Sequence, residues 1–90
     1  MRREEDIIKS LEEEGFDRVY LWEDDSDNYY EAHKHDFLKR IVILEGQMNI
    51  KINKEERILK EGNTVIINRE EVHEVTFGNG GCRYIIAEKD

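Results

Sequence analysis

Three histidines are the residues of this chain whose type and spacing best suit chemistry at a metal ion. His33 and His35 flank Lys34, and side chains two positions apart on an extended strand point to one face, roughly 7 Å apart. The third, His73, lies in a later segment that also reads as a strand. Neutral imidazoles on one surface can converge on a divalent ion. The alternative is that His33 and His35 are surface histidines without a ligand. In small acidic proteins, a His-x-His pair is more often of this kind than a metal site.

Two glutamates accompany the histidines at the same spacing. Glu31 lies two positions before His33, and Glu71 lies two positions before His73, so each can share the face of its histidine. Either carboxylate can orient a ring, supply an oxygen ligand, or remain a solvated charge at the rim of the site. All three roles stay open at this point.

A helix opens the chain. Residues 3–14 place Ile7, Ile8 and Leu11 at helical spacing, with acidic residues near the start and Gly15 at the end. The glutamates at 12–14 lie at the C-terminal end of the helix, where the helix dipole makes negative charge unfavourable. The helix must therefore be held by docking its apolar face on a barrel or on a partner.

Short apolar segments then alternate with turns. Strands are predicted over residues 19–22, 29–35, 39–44, 48–53, 57–60, 64–67, 72–77 and 82–87, with a turn at Glu45 and Gly46 and a hairpin over 78–81. In the second of these strands, Tyr29 and Glu31 share a face with His33 and His35. Seven or eight short strands with regular turns indicate a sandwich or barrel.

Length and charge exclude several classes of function. Ninety residues carry a net charge of −8, which repels nucleic acid and anionic lipid. The single Cys82 has no internal disulfide partner, the charged start lacks the apolar core of a signal peptide, and no apolar run reaches membrane-spanning length. We therefore expect a cytoplasmic protein without a nucleic-acid or membrane partner.

The small size also predicts a partner subunit. A chain of 90 residues buries only about 60–65% of its unfolded surface, so assembly would add to a small core. Val42 and Leu44 form an apolar face on the even-numbered side of the predicted strand 39–44, and this face must be shielded from water. We expect a homodimer built through the sheet and the first strand.

Two motifs in these segments resemble those of the cupin superfamily. His33-Lys34-His35, three residues, Lys39, six residues and Gly46 are similar to the first motif, His-x-His, three or four residues, Glu, six residues, Gly. Gly62, ten residues and His73 are similar to the second, Gly-x5-Pro-x-Gly-x2-His-x3-Asn. The resemblance implies an all-β, double-sheet jelly-roll barrel with one short N-terminal helix. It also implies one cupin domain over residues 1–90, with the helix and its connection in 1–17 and the barrel in 18–88.

The departures from the motifs matter for the site. Asn68, Glu70 and Phe77 replace the Pro, Gly and Asn of the second motif, which alters a loop and leaves His73 in place. Lys39 replaces the glutamate of the first motif. That change removes an anionic ligand and puts a cation where the resemblance implies an inward-facing residue.

The resemblance implies a divalent-metal site, with iron, manganese, zinc or nickel held by His33, His35 and His73 inside the barrel. The reaction stays open, dioxygenase-like and isomerase-like chemistry included, and a small molecule is expected in the barrel. The alternative is a metal-free module that binds or senses a small anion through Lys39, because an ammonium near a metal would repel it. A further alternative is that Lys39 reaches past the histidines and pairs with Glu31 or Glu71 at the barrel mouth.

Overall fold

The chain passes from one helix into six antiparallel strands. A computed structural model describes residues 4–90, so the predicted helical residue Arg3 lies outside the described residues. The elements are α1 (Glu4–Glu13), β1 (Arg18–Asp24), β2 (Tyr29–His33), β3 (Leu38–Ile52), β4 (Glu55–Lys60), β5 (Thr64–Ile67) and β6 (His73–Lys89). The helix agrees with the sequence-based prediction to within a residue at its C-terminal end.

Two long strands, β3 and β6, run side by side and contribute to both halves of the barrel. The first half of β3 pairs with β5 and the second half pairs with β4. The second half of β6 pairs with β1 and the first half with β2. Two four-stranded layers result, in the orders β5-β3-β6-β1 and β4-β3-β6-β2. This is the predicted double-sheet jelly roll with one short helix.

The predicted hairpin over residues 78–81 is wrong. Phe77 pairs with Met48 and Cys82 pairs with Gly46, both antiparallel to β3, so β6 continues in one direction and the four residues between form a bulge. The turn predicted at Glu45 and Gly46 is also wrong, because both residues pair with β6 inside β3, between a one-residue bulge at Leu44 and the bulge over 78–81. Four predicted strands are therefore halves of two long ones, because glycines bend a strand at a barrel corner as readily as they end it.

Glycine is required where the two bulges meet. Gly46 has a φ of 87° and Gly81 a φ of 80°, a region that L-residues rarely adopt. A Cβ atom on Gly46 would collide with the main chain of Gly81 and Cys82, and one on Gly81 would collide with the main-chain oxygen of Asp24. This close approach lets β3, β6 and the end of β1 cross at the barrel corner.

Helix α1 docks on the outer face of the first layer, as its apolar residues predict. Leu11 is buried with Ile85 and Ala87, and Ile7 and Ile8 pack around them. The same cluster includes Val42 and Leu44. The helix therefore covers the face of β3 for which a partner subunit was expected, and that argument for a dimer does not hold.

Cations from the barrel offset the misplaced charge at the end of the helix. Arg40 Nη1 lies 2.9 Å from the Glu14 carboxylate, and Lys89 Nζ donates to the Glu14 main-chain oxygen at 3.2 Å. Positive charge at a helix C-terminus is stabilising. The docking that the glutamate run requires is thus both apolar and electrostatic.

The core lies between the two layers. Its fully buried side chains include Ile43, Met48, Ile50 and Ile67. Within residues 4–90, the one helix is too short and too polar to cross a membrane.

Candidate metal centre

The three histidines come together at one end of the barrel. His33 ends β2 and is paired with His73, the first residue of β6. His35 lies beyond the end of β2, in the loop that leads to β3, and not on the strand that its spacing predicts. Its main-chain oxygen accepts a hydrogen bond of 2.7 Å from the amide of Glu70. That bond ties the loop to the segment before His73.

Ring separations are short for every pair of these histidines. The centroids lie 4.2 Å apart for His33 and His73, 4.8 Å for His33 and His35, and 5.2 Å for His35 and His73. One ring nitrogen from each lies within 4.8 Å of the other two. Within residues 4–90 this is the one group of three or more His, Cys, Asp or Glu side chains that could hold a metal ion. The three are close enough to bind one.

Main-chain oxygens set the tautomers of two of the rings. Nδ1 of His33 lies 2.6 Å from the Glu31 oxygen, and Nδ1 of His73 lies 2.9 Å from the Glu71 oxygen. A carbonyl oxygen only accepts, so each Nδ1 must donate, and each neutral ring keeps its lone pair on Nε2. Outer hydrogen bonds of this kind orient histidines that bind metals.

Glu31 and Glu71 therefore act on the histidines through their backbones. The side chain of Glu31 is exposed. The Glu71 carboxylate accepts hydrogen bonds from Asn53 Nδ2 at 3.0 Å and from the Asn68 amide at 2.9 Å. It orders the loop before β6 and is not one of the clustered ligand atoms.

His35 carries an unusual buried nitrogen. Its Nε2 atom is buried, and within residues 4–90 no group hydrogen-bonds to it. Its ring stacks on Phe37, with centroids 4.8 Å apart and planes 13° apart. A buried polar atom without a partner costs free energy, so a ligand for this nitrogen would relieve a cost that the fold carries.

The site favours neutral imidazoles. Burial first, and the charge of Lys39 second, lower the pKa of His35 to about 4. Burial also lowers the pKa of His73, although the hydrogen bond to Glu71 partly opposes this. A metal binds the neutral form of imidazole. Both rings are therefore ready to bind one at neutral pH.

Lys39 lies in the site, but it pairs with neither glutamate that the sequence suggested. It lines the same cavity as the histidines, and its Nζ lies 3.9 Å from Oε2 of Glu88 on the neighbouring strand. Both side chains are mostly buried. Burial lowers the pKa of Lys39, and Glu88 opposes that shift. The alternative in which Lys39 reaches Glu31 or Glu71 at the rim is wrong.

Glu88 is a site residue that the sequence reasoning missed. It accepts hydrogen bonds from Arg18 Nε at 2.8 Å and from the Tyr20 hydroxyl at 2.9 Å. Burial alone would raise the pKa of Glu88, but these two bonds and the charge of Lys39 outweigh burial and lower it. A signal was present: Tyr84, Ile86 and Glu88 alternate along β6, so the strand period continues the inward face to Glu88.

Asp24 was also missed, since it stands in an acidic run that reads as a turn. It is 7% exposed and accepts hydrogen bonds of 2.7 Å from Tyr30, 2.6 Å from Tyr84 and 2.7 Å from Asn28 Nδ2. Burial and the bond to Asp24 raise the pKa of Tyr84. The network fixes two phenol rings in the cavity wall.

A cavity of about 260 Å³ adjoins the histidines, close to the lower end of the range for small-molecule sites, roughly 300–1,000 Å³. Tyr20, Trp22 and Tyr30 form its aromatic side, and all three are partly exposed. The rest of the wall is mainly aliphatic, from Ile41, Met48, Ile67, Val75 and Ile86. The site thus joins imidazoles and one ammonium to an apolar chamber.

Solved structures share this fold. A conserved protein of unknown function from Streptococcus pyogenes has a TM-score of 0.71 and 18% identity, over 80% of this chain and 63% of that one. A cupin-2 domain protein from Shewanella frigidimarina has a TM-score of 0.69 and 19% identity, over 80% and 69%. The DMSP lyase DddQ from Ruegeria pomeroyi has a TM-score of 0.73 and 18% identity, over 80% and 37%. The chain therefore spans about two thirds or less of the length of these proteins.

A comparison of sequences gives the family. No functionally curated protein has significant similarity to this chain. The sequence model of one protein family, the AraC-like ligand binding domain, matches residues 16–87, and that domain is of the cupin type. The matched residues include β1 to β5 and nearly all of β6. The chain belongs to the family of AraC-like ligand binding domains, within the cupin superfamily.

Proposed function

We propose that His33, His35 and His73 bind one divalent transition metal ion and that the adjoining cavity takes a small organic molecule beside it. Three imidazoles suit iron, zinc or nickel, whereas manganese prefers oxygen ligands. When bound, such an ion would supply open coordination positions and Lewis acidity.

One observation carries the proposal: the hydrogen bonding of the three rings leaves their Nε2 atoms available. Nδ1 of His33 and of His73 is engaged by main-chain oxygens, and Nε2 of His35 is buried without a partner among residues 4–90. A surface pair of histidines would hydrogen-bond to water. A core histidine would have protein partners for both nitrogens.

Lys39 favours a second candidate, a metal-free module that binds an anion. The lysine lines the cavity, and its charge lowers the pKa of both His35 and His73, so it would also weaken a nearby metal ion. Glu88 at 3.9 Å offsets part of this charge. The two candidates therefore differ in whether the affinity of the three histidines for a metal ion exceeds the remaining repulsion between that ion and Lys39.

Elemental analysis separates the two candidates. The protein is expressed without a polyhistidine tag, purified without metal-charged resin, and analysed for iron, manganese, nickel and zinc by mass spectrometry. We expect close to one ion per chain. Protein purified from cells grown with each metal in turn, yet containing less than a tenth of an ion per chain, would leave the metal-free module as the function.

We also propose that the protein is a cytoplasmic homodimer. The edge strand β1 supports the assembly, because Tyr20, Leu21 and Trp22 remain 37–47% exposed on it and an edge strand invites pairing. The buried free thiol of Cys82 agrees with a reducing compartment. A monomeric mass by light scattering at micromolar concentration would contradict the dimer, and fractionation of the source cells would test the location.

A further inference from the structure

We infer that the small molecule of this cavity is an organic carboxylate with an apolar body, whose carboxylate is held by Lys39. The inference rests on the proposed function in that it names the ligand of the same cavity. It does not need the metal, because the residue that selects the anion is Lys39. The two ideas can therefore fail separately.

Lys39 has unused hydrogen-bonding capacity. Its side chain is 15% exposed, and its closest anionic partner, Glu88, lies 3.9 Å away, beyond the roughly 2.7–3.2 Å of a hydrogen bond. Among residues 4–90, no acceptor lies within hydrogen-bond distance of its Nζ. An ammonium has three donors, and a largely buried one is costly when they are unused.

Glu88 does not supply the missing hydrogen-bond acceptor of Lys39. Its Oε1 accepts from Arg18 Nε at 2.8 Å and its Oε2 accepts from the Tyr20 hydroxyl at 2.9 Å. These two bonds hold the carboxylate away from Lys39. Glu88 therefore steadies the lysine by charge, while the donors of Nζ stay free for a ligand oxygen.

Within residues 4–90, the cavity wall around Lys39 carries no competing anion. The cavity wall around it offers imidazoles, aliphatic side chains, one indole and three phenols. All three phenols already donate, Tyr20 to Glu88 and both Tyr30 and Tyr84 to Asp24. No carboxylate side chain lines the cavity among the described residues. The nearest fixed negative charge is Glu88, 3.9 Å from Nζ, and the hydrogen bonds from Arg18 and Tyr20 offset part of that charge. An anionic ligand would therefore meet the cation in the wall itself.

The body of the ligand follows from the rest of the wall. Ile41, Met48, Ile67 and Ile86 line the chamber with aliphatic carbon, and Trp22 and Tyr30 line its open side. An apolar or aromatic group gains free energy on leaving water for such a surface. A free inorganic anion would use Lys39 and none of this wall, so it should bind more weakly than an organic carboxylate.

Matched pairs of ligands test the inference. Benzoate, phenylacetate and cyclohexanecarboxylate are compared with their carboxamides, which keep the body and lose the charge, and with inorganic phosphate. Trp22 is the single tryptophan of the chain and lines the cavity, so its fluorescence reports binding directly. Metal is removed on a chelating resin and not with a soluble chelator, because soluble chelators carry carboxylates that would compete.

Metal-free protein should bind at least one carboxylate at least about tenfold more tightly than its amide, since a charge-assisted hydrogen bond is about twice as strong as a neutral one. Lys39→Met keeps a long apolar chain and should reduce that preference to within about twofold, whereas Lys39→Arg should retain it. Lys60→Met is the matched control, because Lys60 is exposed on β4, and it should leave the preference unchanged.

Several results would overturn the inference. One is the lack of any carboxylate binding up to about 10 mM, which corresponds to an affinity too weak for a built site. Another is a preference that survives in Lys39→Met, or that appears only in metal-loaded protein and there does not depend on Lys39. A Lys39-dependent preference in a protein that binds no metal would support the inference while the metal proposal fails.

Discussion

Lys39 and Glu88 face each other across β3 and β6, with Nζ 3.9 Å from Oε2, beside the three clustered histidines. A cation and an anion have thus been placed on neighbouring strands where the first cupin motif has a single glutamate. The pair is largely buried, so its charges are poorly screened by solvent.

Changing Lys39 to Glu should tighten metal binding. At roughly 6 Å and an effective dielectric constant of about 20, one charge alters the energy of a divalent ion by about 5 kcal/mol before screening. We expect an affinity increase of at least about fivefold by titration calorimetry, allowing for strong screening. Lys60→Glu makes the same charge change at an exposed position and should have little effect. An affinity within twofold of the parent would show that Lys39 does not repel the ion.

The same variant should be less stable without metal. The new carboxylate would face Glu88 across the strand pair, and like charges opposite each other on a sheet are destabilising. We expect a lower melting temperature for metal-free Lys39→Glu and recovery when metal is added. A variant as stable as Lys60→Glu in both states would show that the residue at position 39 turns away from Glu88.

Replacing His33 or His73 with Ala should remove most of the bound metal. A ligand present at about 100 times its dissociation constant stabilises the folded state by about 2.7 kcal/mol, so added metal should raise the melting temperature of the parent protein and not of the variants. Tyr29→Phe, which alters an exposed residue of β2, serves as the control and should respond as the parent does. Identical melting curves for the parent with and without metal would contradict the site.

Stability of the metal-free protein should fall as the pH falls from about 6.5 to about 4. The folded-state pKa of His35 is about 4, below the roughly 6.5 of an unfolded histidine. The unfolded chain therefore binds more protons in this window, and the free energy of unfolding decreases with falling pH. His35→Gln should flatten this part of the profile. Equal slopes for the parent and His35→Gln, followed by urea unfolding at each pH, would mean that His35 titrates normally.

Tyr84→Phe should destabilise the fold by roughly 1.5–3 kcal/mol, the range for hydrogen bonds to charged groups. Tyr84 is 4% exposed and donates to the buried Asp24 carboxylate at 2.6 Å. Tyr29→Phe again provides the comparison, because Tyr29 is 56% exposed and donates to Glu74 at the surface, so its loss should cost less than about 0.5 kcal/mol. Urea unfolding measures both. Equal costs would show that the Asp24 network contributes little.

Gly46→Ala should be far more damaging than Gly62→Ala. Both glycines have a φ of 87°, so both substitutions carry the backbone cost of about 1 kcal/mol or more. A Cβ atom on Gly46 would also strike the main chain of Gly81 and Cys82, whereas nothing lies within 4 Å of one on Gly62. Similar melting temperatures for the two variants would show that the bulges can move apart.

Much of this protein could be read from its sequence, because local patterns decide it. Apolar residues at helical spacing, with Gly15 at the end, define α1, and the alternation of apolar residues defines the strands. The resemblance of two motifs, which contain His33, His35 and His73, to those of the cupins implied the barrel and the histidine cluster. The helix and the strands depend on near neighbours along the chain, and the tertiary structure keeps them.

Other features depend on which segments meet in space, and only the tertiary structure decided them. Gly46 and the glycines of 78–81 read as turns, yet they lie in or beside bulges because β3 and β6 pair on both sides of them. The partner of Lys39 is Glu88, 49 positions later, and not a glutamate near a histidine. The backbone oxygens of Glu31 and Glu71, and not their carboxylates, orient the rings. A sequence pattern specifies the face of a strand, but the long-range register specifies which charge lies opposite it.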